Sequence, residues 1–153
     1  MPVDPVNKHG ISIYYTTTKG IEVNKLETDH QTSFEHLAIN LHYEEEDRPM
    51  LCVYRPQEAH KQECVDQLNK MLKTNNFQSK YNIILRDFNI NLDDHPENEI
   101  IKMLTKDMTQ LINDHTYVIK TIIDHIYVTN TDNIIESGVF DSESDHRGIY
   151  VVI

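Results

Sequence analysis

The stretch Asn82-Ile83-Ile84-Leu85-Arg86-Asp87-Phe88-Asn89 limits the possible folds of this chain more than any other. It is an apolar run that closes on an Asp-x-Asn pair, and it reads as a buried strand. Successive side chains of a strand alternate faces, so Asp87 and Asn89 are expected to point the same way from its end. A hard-oxygen pair of this kind suits Mg²⁺ or a phosphate group. Two later motifs fit the same site, Ile122-Ile123-Asp124-His125-Ile126 and Ser144-Asp145-His146.

Five of the nine histidines directly follow an aspartate, at His30, His95, His115, His125 and His146, so a bare Asp-His pair has little diagnostic weight here. Context separates two of them. Asp124-His125 lies within a long apolar strand, and Asp145-His146 follows Ser144 just before the last apolar run. Asp124 shares its predicted face with Ile122, Ile126 and Val128, and a carboxylate so placed needs a partner. His125 falls on the opposite face and reads as a packing residue. Tyr14, Tyr15, Tyr43, Tyr81, Tyr117, Tyr127 and Tyr150 read as strand and rim packing.

The periodicity predicts strands over Ile11 to Thr16, Phe34 to Tyr43 and Met50 to Tyr54, the last two joined by the acidic turn Glu44 to Asp47. Val65, Leu68 and Leu72 predict a helix over 58 to 73 that covers a sheet. Leu92-Asp-Asp-His-Pro96 supplies a cap and a first-turn proline for a second helix, with Glu97 and Glu99 at its positive end. Its apolar face comprises Ile100, Ile101, Leu104, Met108 and Leu111. Further strands are predicted over Leu111 to Val118, Thr121 to Thr129 and Gly148 to Ile153. Nothing repeats internally.

With 153 residues, 39% hydrophobic and 25% charged, the chain suits one core and is too short for two ordinary domains. It has no run of about 18 apolar residues, so no membrane span is expected. The opening Met-Pro-Val-Asp-Pro has no secretory pattern, and Cys52 and Cys64 have no metal or disulfide spacing, which together point to an intracellular setting, nuclear or cytoplasmic. Acids outnumber bases 25 to 14, and the net charge of −11 opposes strong binding to nucleic acid. Three of the four arginines, Arg55, Arg86 and Arg147, nevertheless stand in or beside the chemistry-bearing motifs, while Arg48 lies in the acidic turn. They can ring a phosphate site or pair with local acids.

Taken in order, these motifs resemble the endonuclease/exonuclease/phosphatase superfamily, most closely the endonuclease domains of non-LTR retrotransposons. His9-Gly-Ile-Ser-Ile-Tyr-Tyr15 is similar to the family's Gly-Val-Ala-Ile-Tyr segment, and Val53-Tyr54-Arg55-Pro56 to its Val-Tyr-Arg-Pro element. Ile84 to Asn89 resembles Leu-Gly-Asp-Phe-Asn, Ile122 to Tyr127 resembles Leu-Asp-His-Ile-Phe, and Ser144-Asp145-His146 matches the closing Ser-Asp-His. Arg86 departs from the family's glycine, and Gly148 stands where proline is common.

The resemblance implies a four-layer α/β sandwich of two mostly antiparallel sheets with outer helices. It also implies hydrolysis of a phosphodiester with Mg²⁺ or Mn²⁺, DNA being the substrate, and a phosphatase of the same superfamily is the runner-up. In that scheme Asp124 orients His146, Asp145 is a metal ligand, and Asp87 and Asn89 position water, metal and phosphate. Tyr54, Arg55, Arg86 and Arg147 contact phosphate. The family's phosphate-binding Asn and metal-binding Glu lie upstream of the segment similar to residues 9 to 15. Residues 1–153 are therefore expected to form the carboxy-terminal majority of the domain. A weak or catalytically silent remnant, or a binding module, is the alternative, with an apolar sheet edge left open to pairing. Glu22, Glu27 and Glu35 are the early glutamates, and none has the family's context.

Overall fold

The structure is a computed structural model that describes residues 11–14, 20–26, 34–73, 77 and 79–153, with Arg86 described by its backbone alone. Eight strands and two helices occur in the order β1 (Glu22–Lys25), β2 (Glu35–Tyr43), β3 (Glu46–Tyr54), α1 (Lys61–Leu72), β4 (Ile83–Asp87), α2 (Glu99–Thr105), β5 (Thr109–Gln110), β6 (Asp124–Val128), β7 (Glu136–Phe140) and β8 (Gly148–Val152). The first six strands form one sheet, ordered β1-β2-β3-β4-β6-β5, while β7 and β8 pair separately. Every pairing is antiparallel except β3 with β4.

Strand alternation divides the core in two. On one face of the large sheet Ala38, Leu51, Val53, Ile84 and Tyr127 pack against Cys64, Leu68 and Met71 of α1 and Ile100, Ile101 and Leu104 of α2. On the other face Met50, Ile83, Leu85, Ile126 and Val128 meet Val139, Ile149 and Val151 of the small sheet. The described layers are therefore helices, six-stranded sheet and two-stranded sheet, an α/β sandwich as expected.

Several elements differ from their predicted forms for local reasons. The β2–β3 hairpin turns in two residues, Glu44 and Glu45, both left-handed (φ 51° and 65°), so β3 begins at Glu46, not Met50. Pro49 is tolerated in this strand because pairing with β4 starts only at Met50, so its missing N–H costs no second ladder bond. Helix α1 buries Cys64, Leu68 and Met71, turning the face by one residue from the predicted Val65, Leu68 and Leu72. Helix α2 starts at Glu99, with the Asn98 side chain accepting from the Ile100 N–H, so the Leu92 to Pro96 segment precedes it as turns.

Residues 11–14 form no strand, and the rest of the His9 to Tyr15 motif, together with Glu27, lies outside the described residues. Leu111 to Val118 is not a strand either. Thr116 and Asn91 side chains there take the N–H groups of Ile122, Ile123 and Asp124, which shortens the predicted 121 to 129 strand to β6. Strands β1, β5 and β7 were not anticipated; α2 stops at Thr105, so β5 takes up the end of the predicted helix. In β7 the alternation is obscured by Ser137 and Gly138, the latter lying under the ring of Tyr150.

Candidate active site

Strands β4 and β6 run antiparallel in a register that sets Asp87 directly opposite Asp124. Both point to the face that carries Ile83, Leu85, Ile126 and Val128, toward the small sheet. Each residue is only 8% exposed, so two carboxylates are opposed in a largely dry setting and need hydrogen-bonding partners. His146 is one. Its Nδ1 lies 2.9 Å from Asp124 Oδ2, and donor atoms of Asp87, Asp124 and His146 all fall within 4.8 Å of one another. The imidazole remains one-third exposed, so its other nitrogen is within reach of solvent.

The loop before β8 presents His146 by its own hydrogen bonds. Ser144 Oγ accepts from the His146 N–H at 2.9 Å and donates to the His146 carbonyl at 3.0 Å, and the Ser142 hydroxyl donates to that carbonyl too. A serine two residues before the histidine thus closes a tight turn that fixes the backbone from which the imidazole extends. Thr116, fully buried, holds the start of β6 through its Oγ1, and its carbonyl accepts from the Arg147 N–H at 2.7 Å. Tyr117 packs its ring 4.8 Å from that of His146. Thr116 was not singled out from the sequence and Tyr117 only as packing; a Thr-Tyr pair in a loop carries no spacing signal.

Asp145 lies apart from the group of three. Its carboxylate accepts a hydrogen bond from the Tyr117 hydroxyl, and this bond, the charge of Asp145, burial and the more distant charge of Asp87 raise the tyrosine above its ordinary value. Asn89 does not extend the strand alternation. Strand β4 ends at Asp87, Asn89 is left-handed (φ 49°), and its N–H donates back to Asp87 Oδ1 at 2.8 Å. Its amide group donates to the Arg55 carbonyl at 2.7 Å, which ties the end of β4 to the end of β3.

The arginines are mostly engaged with protein. Arg55 is 4% exposed and donates to the carbonyls of Phe88 (3.1 Å) and Ala59 (3.3 Å). Arg147 donates to Asp141 (2.9 Å) and to the His115 carbonyl (3.2 Å), and Arg48 pairs with Glu46. The side chain of Arg86 lies outside the described residues. By alternation Tyr54 falls on the same face of β3 as Met50 and Cys52, the side that bears Asp87 on the neighbouring strand.

His125 occupies the helix-facing side of β6, fully buried, stacked 5.2 Å from Phe88. Its Nε2–H donates to the carbonyls of Ile90 (3.0 Å) and Ile122 (3.1 Å), and Nδ1 accepts from the Tyr127 hydroxyl at 3.1 Å. Burial holds it below its ordinary value, as a neutral packing residue.

No family model matches the chain, and no curated protein matches its sequence. Solved structures do match. An endonuclease/exonuclease/phosphatase family protein from Leptotrichia buccalis aligns over 88% of this chain and 60% of its own, at 16% identity and TM-score 0.57. The inositol polyphosphate 5-phosphatase domain of SPsynaptojanin, solved with inositol (1,4)-bisphosphate and calcium, aligns over 85% and 53%, at 15% and 0.62. A D. rerio TDP2 complexed with single strand DNA product aligns over 84% and 67%, at 13% and 0.55.

The fold is that of the endonuclease/exonuclease/phosphatase proteins. The chain spans 60% and 53% of the first two structures it matches. The same fold occurs in a Cimex nitrophorin solved as its ferrous NO complex, at 11% identity and TM-score 0.52, so the fold does not by itself decide the chemistry.

The donor set is compatible with a metal ion. Two opposed carboxylates bring hard oxygen donors together, and His146 adds a ring nitrogen beside them. Such a set suits a divalent cation. Among the described residues no glutamate joins the group.

No helix among the described residues is long and apolar enough to cross a membrane.

Proposed function

We propose that the chain carries the hydrolytic part of a metal-dependent phosphodiesterase, acting on DNA in the manner of a retroelement endonuclease. The observation that carries this reading is the Asp124–His146 pair set beside Asp87, assembled from three segments distant in sequence. Asp87, with Asp145 and Asn89, would hold Mg²⁺ or Mn²⁺, which would supply charge stabilisation at the phosphoryl group. The chain's own groups do the rest. Asp124 accepts from the Nδ1–H of His146 and fixes the ring's tautomer and orientation, leaving Nε2 to face a phosphoryl oxygen as negative charge grows there. Asp87 orients the attacking water, and Asn89, freed from the Arg55 carbonyl, positions the phosphate. Tyr54, Arg86 and Arg147 serve in this reading as phosphate contacts, whereas Arg55 acts by bracing the loop that holds Asn89.

The net charge of −11 implies weak, salt-sensitive DNA binding. A nearly silent remnant is the second reading, favoured by the absence of a glutamate from the described metal-ligating group. Conversion of supercoiled plasmid to the nicked form separates the two. Slow nicking is expected that requires Mg²⁺ or Mn²⁺ and is lost in both His146→Ala and Asp87→Ala. Nicking indifferent to His146→Ala overturns the assignment. A folded chain that cleaves neither plasmid nor inositol bisphosphate leaves the remnant reading, and cleavage of the bisphosphate alone moves the assignment to a phosphatase.

A further inference from the structure

The geometry points to a second binding site, remote from the Asp87–Asp124–His146 group, that takes a small apolar molecule carrying a protonated amine. It is a cavity of about 170 Å³ between the end of α1, the end of α2 and the start of β4.

The size and the walls set the body of the ligand. Leu72, Phe77, Met103, Leu104 and Met108 line the space. Phe77 and Leu104 are buried, while Leu72, Met103 and Met108 are half-buried. An apolar cavity of about 150 Å³ accepts a benzene ring, so this one holds a single ring or a short branched chain. Two methionines in the wall let it adapt to the occupant, because an unbranched thioether repacks easily.

The polar groups name the head of the ligand. Asn82 lines the same cavity and is 5% exposed, and by alternation with Ile83 its side chain lies on the helix-facing side of the sheet. Its Nδ2 donates to the Ser79 carbonyl at 2.7 Å, but its buried Oδ1 has no hydrogen-bond partner among the described residues. An unpaired buried acceptor is unfavourable, and a donor on an occupant relieves it. The Thr129 hydroxyl beside it is already used, since it donates to the Lys80 carbonyl and accepts from the Asn82 N–H. Asp107, exposed and just beyond α2, supplies a carboxylate to the lining. Two acceptors on an apolar cup suit an ammonium head, and the net charge of −11 favours a cation further. Asn82 and Asp87 stand at opposite ends of β4, about 17 Å apart at 3.3 Å per residue. The site is thus independent of the phosphodiesterase reading.

Benzylamine is the probe, titrated into the 153-residue chain carrying labelled methionine methyl groups. Saturable binding is expected, with nuclear Overhauser contacts from the ring to the methyls of Met103 and Met108 and none to Met50, on the other face of the sheet. Asp107→Asn should weaken it several-fold, Met103→Trp should block it, and benzoate, of the same size and opposite charge, should not bind. Absence of contacts to both methyls, equal binding of benzoate, or binding indifferent to both variants overturns the proposal. Should Met103→Trp unfold, the methyl contacts of the wild type and the benzoate comparison decide.

Discussion

His125 and His146, twenty-one positions apart, carry the same side chain in opposite environments. His125 is sealed beneath Phe88 with both ring nitrogens satisfied, and burial lowers its proton affinity below the ordinary 6.5. A base with a lowered folded-state value binds protons more readily when unfolded. The stability it contributes is therefore complete above about pH 6.5 and is lost as the pH falls below that value. Urea unfolding at neutral pH and near pH 5 should show this loss in the wild type. Replacing His125 with Gln should flatten it, at a cost at neutral pH of about 1–3 kcal/mol for the carbonyls and hydroxyl left without their ring partner. An unchanged acid-side loss in His125→Gln would mean that another group controls it.

Two hairpins show how local geometry sets an element. The β2–β3 turn holds Glu44 and Glu45 at positive φ, a conformation in which a side chain is strained and which Asn-Gly adopts readily. The double change Glu44→Asn, Glu45→Gly should raise unfolding free energy by about 1–2 kcal/mol, as measured by denaturant titration. A neutral or negative effect would show that the turn is held from outside, through contacts of β2 and β3. In the β7–β8 hairpin the two glycines are not equivalent. A methyl group at Gly148 overlaps the Phe140 ring, whereas one at Gly138 meets only the flexible edge of Tyr150 at 3.2–3.4 Å. Gly148→Ala should therefore cost about 1–3 kcal/mol and Gly138→Ala clearly less, unless Phe140, itself half exposed, swings aside.

At the scale of the molecule, the opposed pair Asp87 and Asp124 makes the fold responsive to cations. A divalent ion that binds the folded chain alone stabilises it by mass action, by about 2.7 kcal/mol at a hundredfold excess over its dissociation constant. Saturating Mg²⁺ or Mn²⁺ should raise the melting temperature by several degrees, and Asp87→Asn should abolish most of the rise. An equal response in that variant would place the ion elsewhere. Because one carboxylate is removed, Asp87→Asn is also expected to be more stable than wild type without metal, through relief of the repulsion across β4 and β6.

By itself the sequence determined the strand that ends at Asp87, the burial of Asp124 on one face of β6 and of His125 on the other, and the two helices. These follow from alternation and helical spacing, which are properties of the chain within a few residues. Only the tertiary structure decided that Asp124 meets His146 at 2.9 Å, that Asn89 turns back onto Asp87, and that Arg55 braces carbonyls from a buried position. It likewise brought in Thr116 and Tyr117, residues without a motif, and divided the strands into sheets of six and two. Such contacts depend on how separate segments are set against one another and on which side chains win the competition for backbone donors. No local pattern encodes that competition, because its outcome is set by packing the two faces of one sheet at once.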